Sequence, residues 1–219
     1  MAPMLRIALA LVLAFCGAAR AADETTYLYA AVGYVKTTPG IDKGASDAAL
    51  TAGGATELSS LVDQTDSGFK VMIGWIPSRY FALEGGFASL GSASYAATFN
   101  TALGTGGTAK SEFRAGGIIF DALGIAPVSD AFSLFAKLGG IAASVVTNQS
   151  VTLPGPTPTT TTSSGGARMF RWNYGVGAMY DFTRNASVRL EVERYPSVGN
   201  DATGKSNIDM VSLGLLLKL

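Results

Sequence analysis

RMFRWNYGVGAMYDFTRNASVRLEVERY, residues 168–195, holds two runs of alternating side chains separated by a short polar break. In Arg168–Phe182, Phe170, Trp172, Tyr174, Val176 and Tyr180 oppose Arg171, Asn173, Gly175, Gly177 and Met179. In Ala186–Tyr195, Val188, Leu190 and Val192 oppose Arg189, Glu191 and Glu193. A period of two places successive side chains on opposite faces of a β-strand. One face is bulky and apolar, and the other mixes charge with glycine. The break at Thr183–Asn185 leaves room only for a tight turn, so the two runs form an antiparallel hairpin.

Six more segments show the same pattern: Tyr27–Lys36, Phe69–Ile76, Tyr80–Leu90, Lys110–Phe120, Phe132–Val145 and Ile208–Leu219. In Lys110–Phe120, Phe113, Ala115, Gly117 and Ile119 are expected on the apolar face, opposite Glu112, Arg114, Gly116 and Ile118. None of the eight prolines is expected inside a strand, where a missing N–H would break the ladder. Four connections are long: Thr37–Gly68, Gly91–Ala109, Val146–Ala167 and Pro196–Asn207. They alternate with short ones at Pro77–Arg79, Asp121–Ala131 and Thr183–Asn185. Outer-membrane barrels segregate loop lengths in this way, with short periplasmic turns and longer outer loops. A secreted β-sandwich, the competing fold, has no reason to do so.

Composition agrees. The 219 residues have only 15% charged side chains, yet mean hydropathy is +0.30, and after residue 22 no uninterrupted apolar run is long enough for a spanning helix. A barrel with every second residue facing lipid produces that combination. Aromatics at strand ends are expected to form two interfacial girdles. Tyr27, Trp75, Tyr80, Phe120, Phe132 and Tyr180 are assigned to the periplasmic level, and Tyr34, Phe69, Phe113, Trp172 and Tyr195 to the outer level. Residues 1–21 read as a signal peptide, with Arg6, the apolar run Ile7–Cys16 and the small residues Ala19 and Ala21 before the cleavage point. Residues 22–219 are then the barrel domain. Loss of Arg6 and Arg20 leaves 14 basic residues against 16 acidic, a net charge of −2.

The same counts exclude several function classes. The chain has no His, which removes Ser–His and Cys–His nucleophile systems. Its one Cys lies in the expected leader, so neither a disulfide framework nor a thiolate metal site is expected. No DxDxDG-like calcium loop is present, and no cofactor is expected. There is no excess positive charge with which to track a nucleic-acid backbone. Gly175 and Gly177 lack the third glycine and the βαβ frame of a nucleotide loop; they read as small lumen-side residues that relieve crowding.

The stretches GFKVMIGWIPSRYFALEGGFASLG (68–91), FSLFAKLGG (132–140), NYGVGAMYDFTRNASVRLEVERYPSVGN (173–200) and DMVSLGLLLKL (209–219) resemble the transmembrane domain of the outer membrane protein A-like, porin-like family. They cover about a third of the mature chain. The resemblance implies an all-β, eight-stranded antiparallel up-and-down transmembrane β-barrel in the outer membrane of a Gram-negative cell. It covers the transmembrane domain alone, so the peptidoglycan-binding activity of larger members is not carried over. The family's terminal residue, part of the signal read by the outer-membrane insertion machinery, is usually aromatic, and here it is Leu219.

An eight-stranded barrel is narrow enough for side chains to fill. The expected lumen charge network is Lys70, Glu84, Glu112, Arg114, Lys137, Arg171, Arg189, Glu191 and Glu193. Five positive and four negative charges can pair, which buried charges require. In the resembled family a similar cluster plugs the lumen. Glu84, Arg189 and Glu191 fall at matching strand positions, and the family's glutamate on strand six is replaced by Met179. The expected function is a structural and surface-interacting barrel with at most a narrow pore. The alternative is a porin-like channel or transporter for small solutes. An enzyme is not expected, because barrel acyltransferases, deacylases, phospholipases and proteases generally use a His. Expected partners are outer-membrane lipids, the insertion machinery and a surface ligand at the outer loops. Thr37–Gly68 and VTLPGPTPTTTTSSGG (151–166) are expected to be solvated, extended loops.

Overall fold

A computed structural model describes residues 26–39, 42–101, 104–200 and 204–219. The expected leader at 1–21 lies outside the described residues. The elements are β1 (Tyr27–Pro39), α1 (Lys43–Ala52), β2 (Thr56–Asp63), β3 (Asp66–Ser78), β4 (Phe81–Thr101), β5 (Gly104–Pro127), β6 (Phe132–Leu153), β7 (Thr159–Asp181), β8 (Ala186–Asn200) and β9 (Gly204–Lys218). Antiparallel pairing runs β1–β3–β4–β5–β6–β7–β8–β9 and closes from β9 back to β1. This is the expected eight-stranded up-and-down barrel. β2 is not a ninth stave. It pairs with the far end of β4, from Thr56↔Asn100 to Asp63↔Ser94, and continues the line of β3 across a break at Gln64 and Thr65.

Two of the short connections, at 79–80 and 182–185, are where the sequence puts them. The expected connection Asp121–Ala131 shrinks to 128–131 because β5 runs on to Pro127, and most of the long connections are not loops. Gly91–Ala109, Val146–Ala167 and Pro196–Asn207 are largely ladder, and the barrel strands run on as hairpins past the apolar band. Their Thr, Ser and Ala side chains suit a strand but give little hydrophobic contrast between faces, so alternation does not reveal them. The first long connection holds α1 and β2. α1 starts at Asp42, whose carboxylate accepts from the Ala45 amide at 2.9 Å. This N-cap satisfies one of the unpaired donors of a helix start.

Pro39 and Pro127 end β1 and β5, and two further prolines fall inside strands, contrary to the sequence expectation. Pro196 lies in β8 at the register shift between Tyr195 and Val198. Pro77 lies in β3 at the shift between Trp75 and Ser78. Both ladders break where the donor is missing.

Polarity is inverted relative to a soluble fold. Outward residues such as Leu138 (61% exposed), Phe170 (66%) and Val176 (60%) are bare, while Lys137 and Glu193 are buried at 4% and 1%. In water that surface is untenable, and in hydrocarbon it is required. Along β5 the apolar outward rows run from Ala126 to Ile118. That is about 27 Å of strand, or roughly 20–25 Å of height once tilted, the thickness of an outer-membrane band.

β5 corrects one expected face. Phe113, Ala115 and Ile119 are buried inside, and Ile118 (51%) and Phe120 (60%) are exposed outside. The two faces carry similar apolar bulk here, so periodicity alone does not choose between them. Two expected girdle aromatics are buried instead: Phe113 with this face of β5, and Tyr195 because it shares the inward parity of Arg189, Glu191 and Glu193 on β8. Phe120 and Trp172, expected at opposite levels, share one cross-strand row through Gly140, because β5 runs on to Pro127.

Candidate functional site: the closed lumen

Six of the expected lumen charges meet inside the barrel. Lys70 comes from β3, Glu84 from β4, Lys137 from β6, and Arg189, Glu191 and Glu193 from alternate positions of β8. Alternation points all three β8 side chains inward. Lys70 Nζ lies 3.0 Å from Glu191 Oε2 and 2.7 Å from Glu193 Oε2. Lys137 Nζ lies 2.7 Å from Glu191 Oε2 and also pairs with Glu193. Arg189 pairs with both Glu84 oxygens, its Nη2 at 2.9 Å, and its Nε lies 2.8 Å from Glu191 Oε1. Glu191 therefore touches all three cations.

The expected set also needs corrections. Glu112 and Arg114 are not in the lumen. They share the outward face of β5 with Ile118 and Phe120, above the apolar rows, and pair with each other at 3.4 Å. Arg171 is apart from the network. Its guanidinium donates to the backbone oxygens of Ser197 (2.8 Å) and Gly199 (3.3 Å). The β7–β8 ladder ends at Tyr174↔Arg194, so Arg171 bridges the strands where direct pairing has stopped.

Sequence reasoning missed four participants. Asp121 lies 3.2 Å from Lys137 and accepts from Asn173 Nδ2 at 2.8 Å. The sequence reading places it in a short connection, yet it shares the inward face of Phe113 and Ile119, and that parity is the available signal. Tyr29 donates to Glu84, and Tyr195 donates to Glu193 at 3.0 Å. Four carboxylates thus face three cations, with two phenols and one amide meeting remaining lone pairs, as low-dielectric burial demands.

Glycines opposite the network make the fit possible. A Cβ at Gly74 would overlap the Tyr29 ring, and one at Gly139 would overlap the Asp121 carboxylate. These are close-approach positions.

Apolar layers close the lumen on both sides. Towards the long hairpins, Leu90, Phe113, Ile119, Ile141, Tyr195 and Met210 belong to one buried cluster. Towards the short turns, Tyr29, Ile76, Leu123, Phe135, Met179 and Leu216 form another. Arg189 lies over the Phe135 ring at 4.6 Å, joining the charges to the lower layer. A space beside Lys70, Arg189 and Glu191 measures about 10 Å³, scarcely enough for one water. Among the described residues no group of three or more His, Cys, Asp or Glu is placed to hold a metal ion.

Outside the membrane, Asp47 of α1 accepts from Lys43 (2.6 Å), Ser60 of β2 (2.7 Å) and Tyr95 of β4 (2.7 Å). Those hydrogen bonds hold its carboxyl at about 2, and burial pushes the Tyr95 phenol up to about 12. Leu50 of α1 packs on the cluster of Ala55, Tyr95, Ala97, Phe99 and Ala109.

A closed antiparallel ring with an apolar exterior and a charged interior defines a transmembrane β-barrel. The sequence profile of the outer membrane protein β-barrel domain family matches residues 7–218, and the chain belongs to that family, whose place is the cell outer membrane. Among solved structures, Ail of Yersinia pestis, crystallised with the heparin analogue sucrose octasulfate, is 12% identical. The match covers 89% of this chain and 99% of Ail, with a TM-score of 0.48. OprG of Pseudomonas aeruginosa is 11% identical over 89% of this chain and 97% of its own, with a TM-score of 0.47. Neisserial surface protein A is 13% identical over 91% and 100%, with a TM-score of 0.42. No curated protein matches the chain.

Proposed function

We propose that this protein is a structural barrel of the outer membrane, closed to bulk solute, that presents its long hairpins for surface interaction. The observation that carries this is the layering of the lumen, with interlocked charges held between two apolar clusters. A hydrated ion crossing it would have to separate buried pairs, at several kcal/mol each. Residues 1–21 act as the export signal in this scheme, and the insertion machinery receives a last strand with Val211, Leu213, Leu215 and Leu217 facing outward. No step of an enzyme reaction is assigned to the chain.

Planar-bilayer recording of the refolded mature chain tests the proposal. The closed barrel gives no regular conductance steps, and Glu84→Ala or Arg189→Ala lowers the temperature at which the folded gel band is lost without opening a pore. Robust solute flux by the unaltered chain would overturn it. One observation favours a gated, porin-like channel for small solutes as a second reading: Glu191 already contacts Lys70, Lys137 and Arg189, so partners can exchange around it. Steps whose size changes with Glu84→Ala would support that reading.

A further inference from the structure

The outward faces of β5, β6 and β7 change chemistry with height. The cross-strand rows Phe120–Gly140–Trp172 and Ile118–Ala142–Phe170 are apolar. The next two are Gly116–Ser144–Arg168 and Arg114–Val146–Gly166. Above them Lys110, Glu112, Asn148, Gln149 and Ser164 line a polar hollow of about 350 Å³. Within a few rows the surface goes from aromatic and aliphatic, through cationic, to amide- and hydroxyl-rich.

Two of the three cations on this strip, Arg168 and Lys110, are uncompensated. Elsewhere on the exterior, Arg194 closes on Asp209 at 2.6 Å. Among the described residues neither Arg168 nor Lys110 has an acidic partner within ion-pair distance. Arg114 pairs with Glu112 at 3.4 Å, both side chains being more than half exposed (69% and 54%), and shares a water-facing hollow with Asp63 and Asp66, so its pairing is weak and exchangeable. Two strand spacings, about 10 Å, separate the strands of Arg114 and Arg168. Both are long side chains on one face, able to converge on a single oxyanion over β6.

We propose that the outward face of β5–β7 is a binding site for a phosphorylated glycolipid of the surrounding leaflet. Its acyl chains lie on Phe120, Ile118, Phe170 and Trp172. A phosphate sits between Arg114 and Arg168, and the sugars occupy the hollow under Lys110. The occupant follows from position. The strip begins directly above the apolar belt, so what covers it is the headgroup layer. Long hairpins lie on the outer side of such barrels, which makes that layer the outer leaflet. The cations select an anionic headgroup, and the amides and hydroxyls above them match a sugar ring, which a plain phospholipid lacks.

Native mass spectrometry of the refolded mature chain in detergent provides the test. The probes are phosphorylated lipid A carrying inner-core sugars, the same lipid after phosphatase treatment, and phosphatidylglycerol. The first is expected to bind, and loss of its phosphates to weaken binding by about tenfold or more. Arg114→Gln with Arg168→Gln should produce a loss of the same size, while Arg184→Gln at the short-turn end leaves binding unchanged. Equal binding of the dephosphorylated probe overturns the site and does not depend on any variant folding. Equal binding of phosphatidylglycerol overturns the glycolipid assignment, as does unchanged affinity in a double variant that keeps its heat-modifiable migration.

Discussion

Lys137 Nζ on β6 lies 2.7 Å from Glu191 Oε2 on β8, across a lumen that the two strands reach from non-adjacent staves. Lys137 also holds Asp121 and Glu193. Lys137→Met leaves four carboxylates to two cations. Breaking a buried cluster in this way costs about 3–5 kcal/mol. Arg114→Met, on the exposed exterior, should cost about 0–1 kcal/mol. Urea titration of the folded gel band in detergent compares them, and equal midpoints would refute the central role given to Lys137.

Gly74→Ala tests the closeness of the wall. The added methyl overlaps the Tyr29 ring, which must swing away and release Glu84. Overpacking of this kind costs about 1–3 kcal/mol. Tyr29→Leu should restore part of the loss in the double variant. Independent, additive effects would show that the ring is not what the methyl meets.

Arg171→Ala should act locally. Its guanidinium bridges β7 to Ser197 and Gly199 above the last β7–β8 ladder pair. Hydrogen exchange around Val198–Asn200 is expected to accelerate, while the Val188–Val192 ladder keeps its protection. Acceleration in both regions would point to global loosening instead.

The hold on α1 depends on acid. Asp47 is depressed to about 2 by hydrogen bonds from Lys43, Ser60 and Tyr95. A carboxylate lowered on folding contributes stability above its ordinary range near 4; the contribution is lost as pH falls through about 2. Amide protection of α1 should therefore decline between about pH 4 and 2. Asp47→Asn should be less protected at neutral pH and lose that pH dependence. A variant as protected as the parent at pH 7 would contradict the assignment.

Where bulk and charge separate cleanly between faces, the sequence was legible. On β8, Val188, Leu190 and Val192 oppose Arg189, Glu191 and Glu193, and every side chain in that hairpin has one physically acceptable face. On β5 the contrast is weak, since Phe113 and Ile119 oppose Ile118 and Phe120. The charges of Glu112 and Arg114 then drew the face inward, although both lie above the belt, where water satisfies them. Asp121 was lost with the strand end. The hairpin extensions were unreadable because Thr, Ser and Ala give little contrast between faces, even where Tyr95, Ala97 and Phe99 are buried, and α1, only ten residues long and with none of them buried, lacks a strong apolar stripe. Tyr29 and Tyr195 needed three dimensions: a phenol facing a carboxylate has no sequence signal.

Ring closure has a kinetic consequence. Glu191 and its lysine partners are 54 and 121 residues apart in the chain, and Arg189 is 105 residues from Glu84. No hairpin contains both members of these contacts. While the seam between β1 and β9 is open, the inward charges keep their hydration, and an unclosed sheet cannot enter hydrocarbon without stripping it. Insertion and circularisation are therefore one event, timed by the arrival of the last strands.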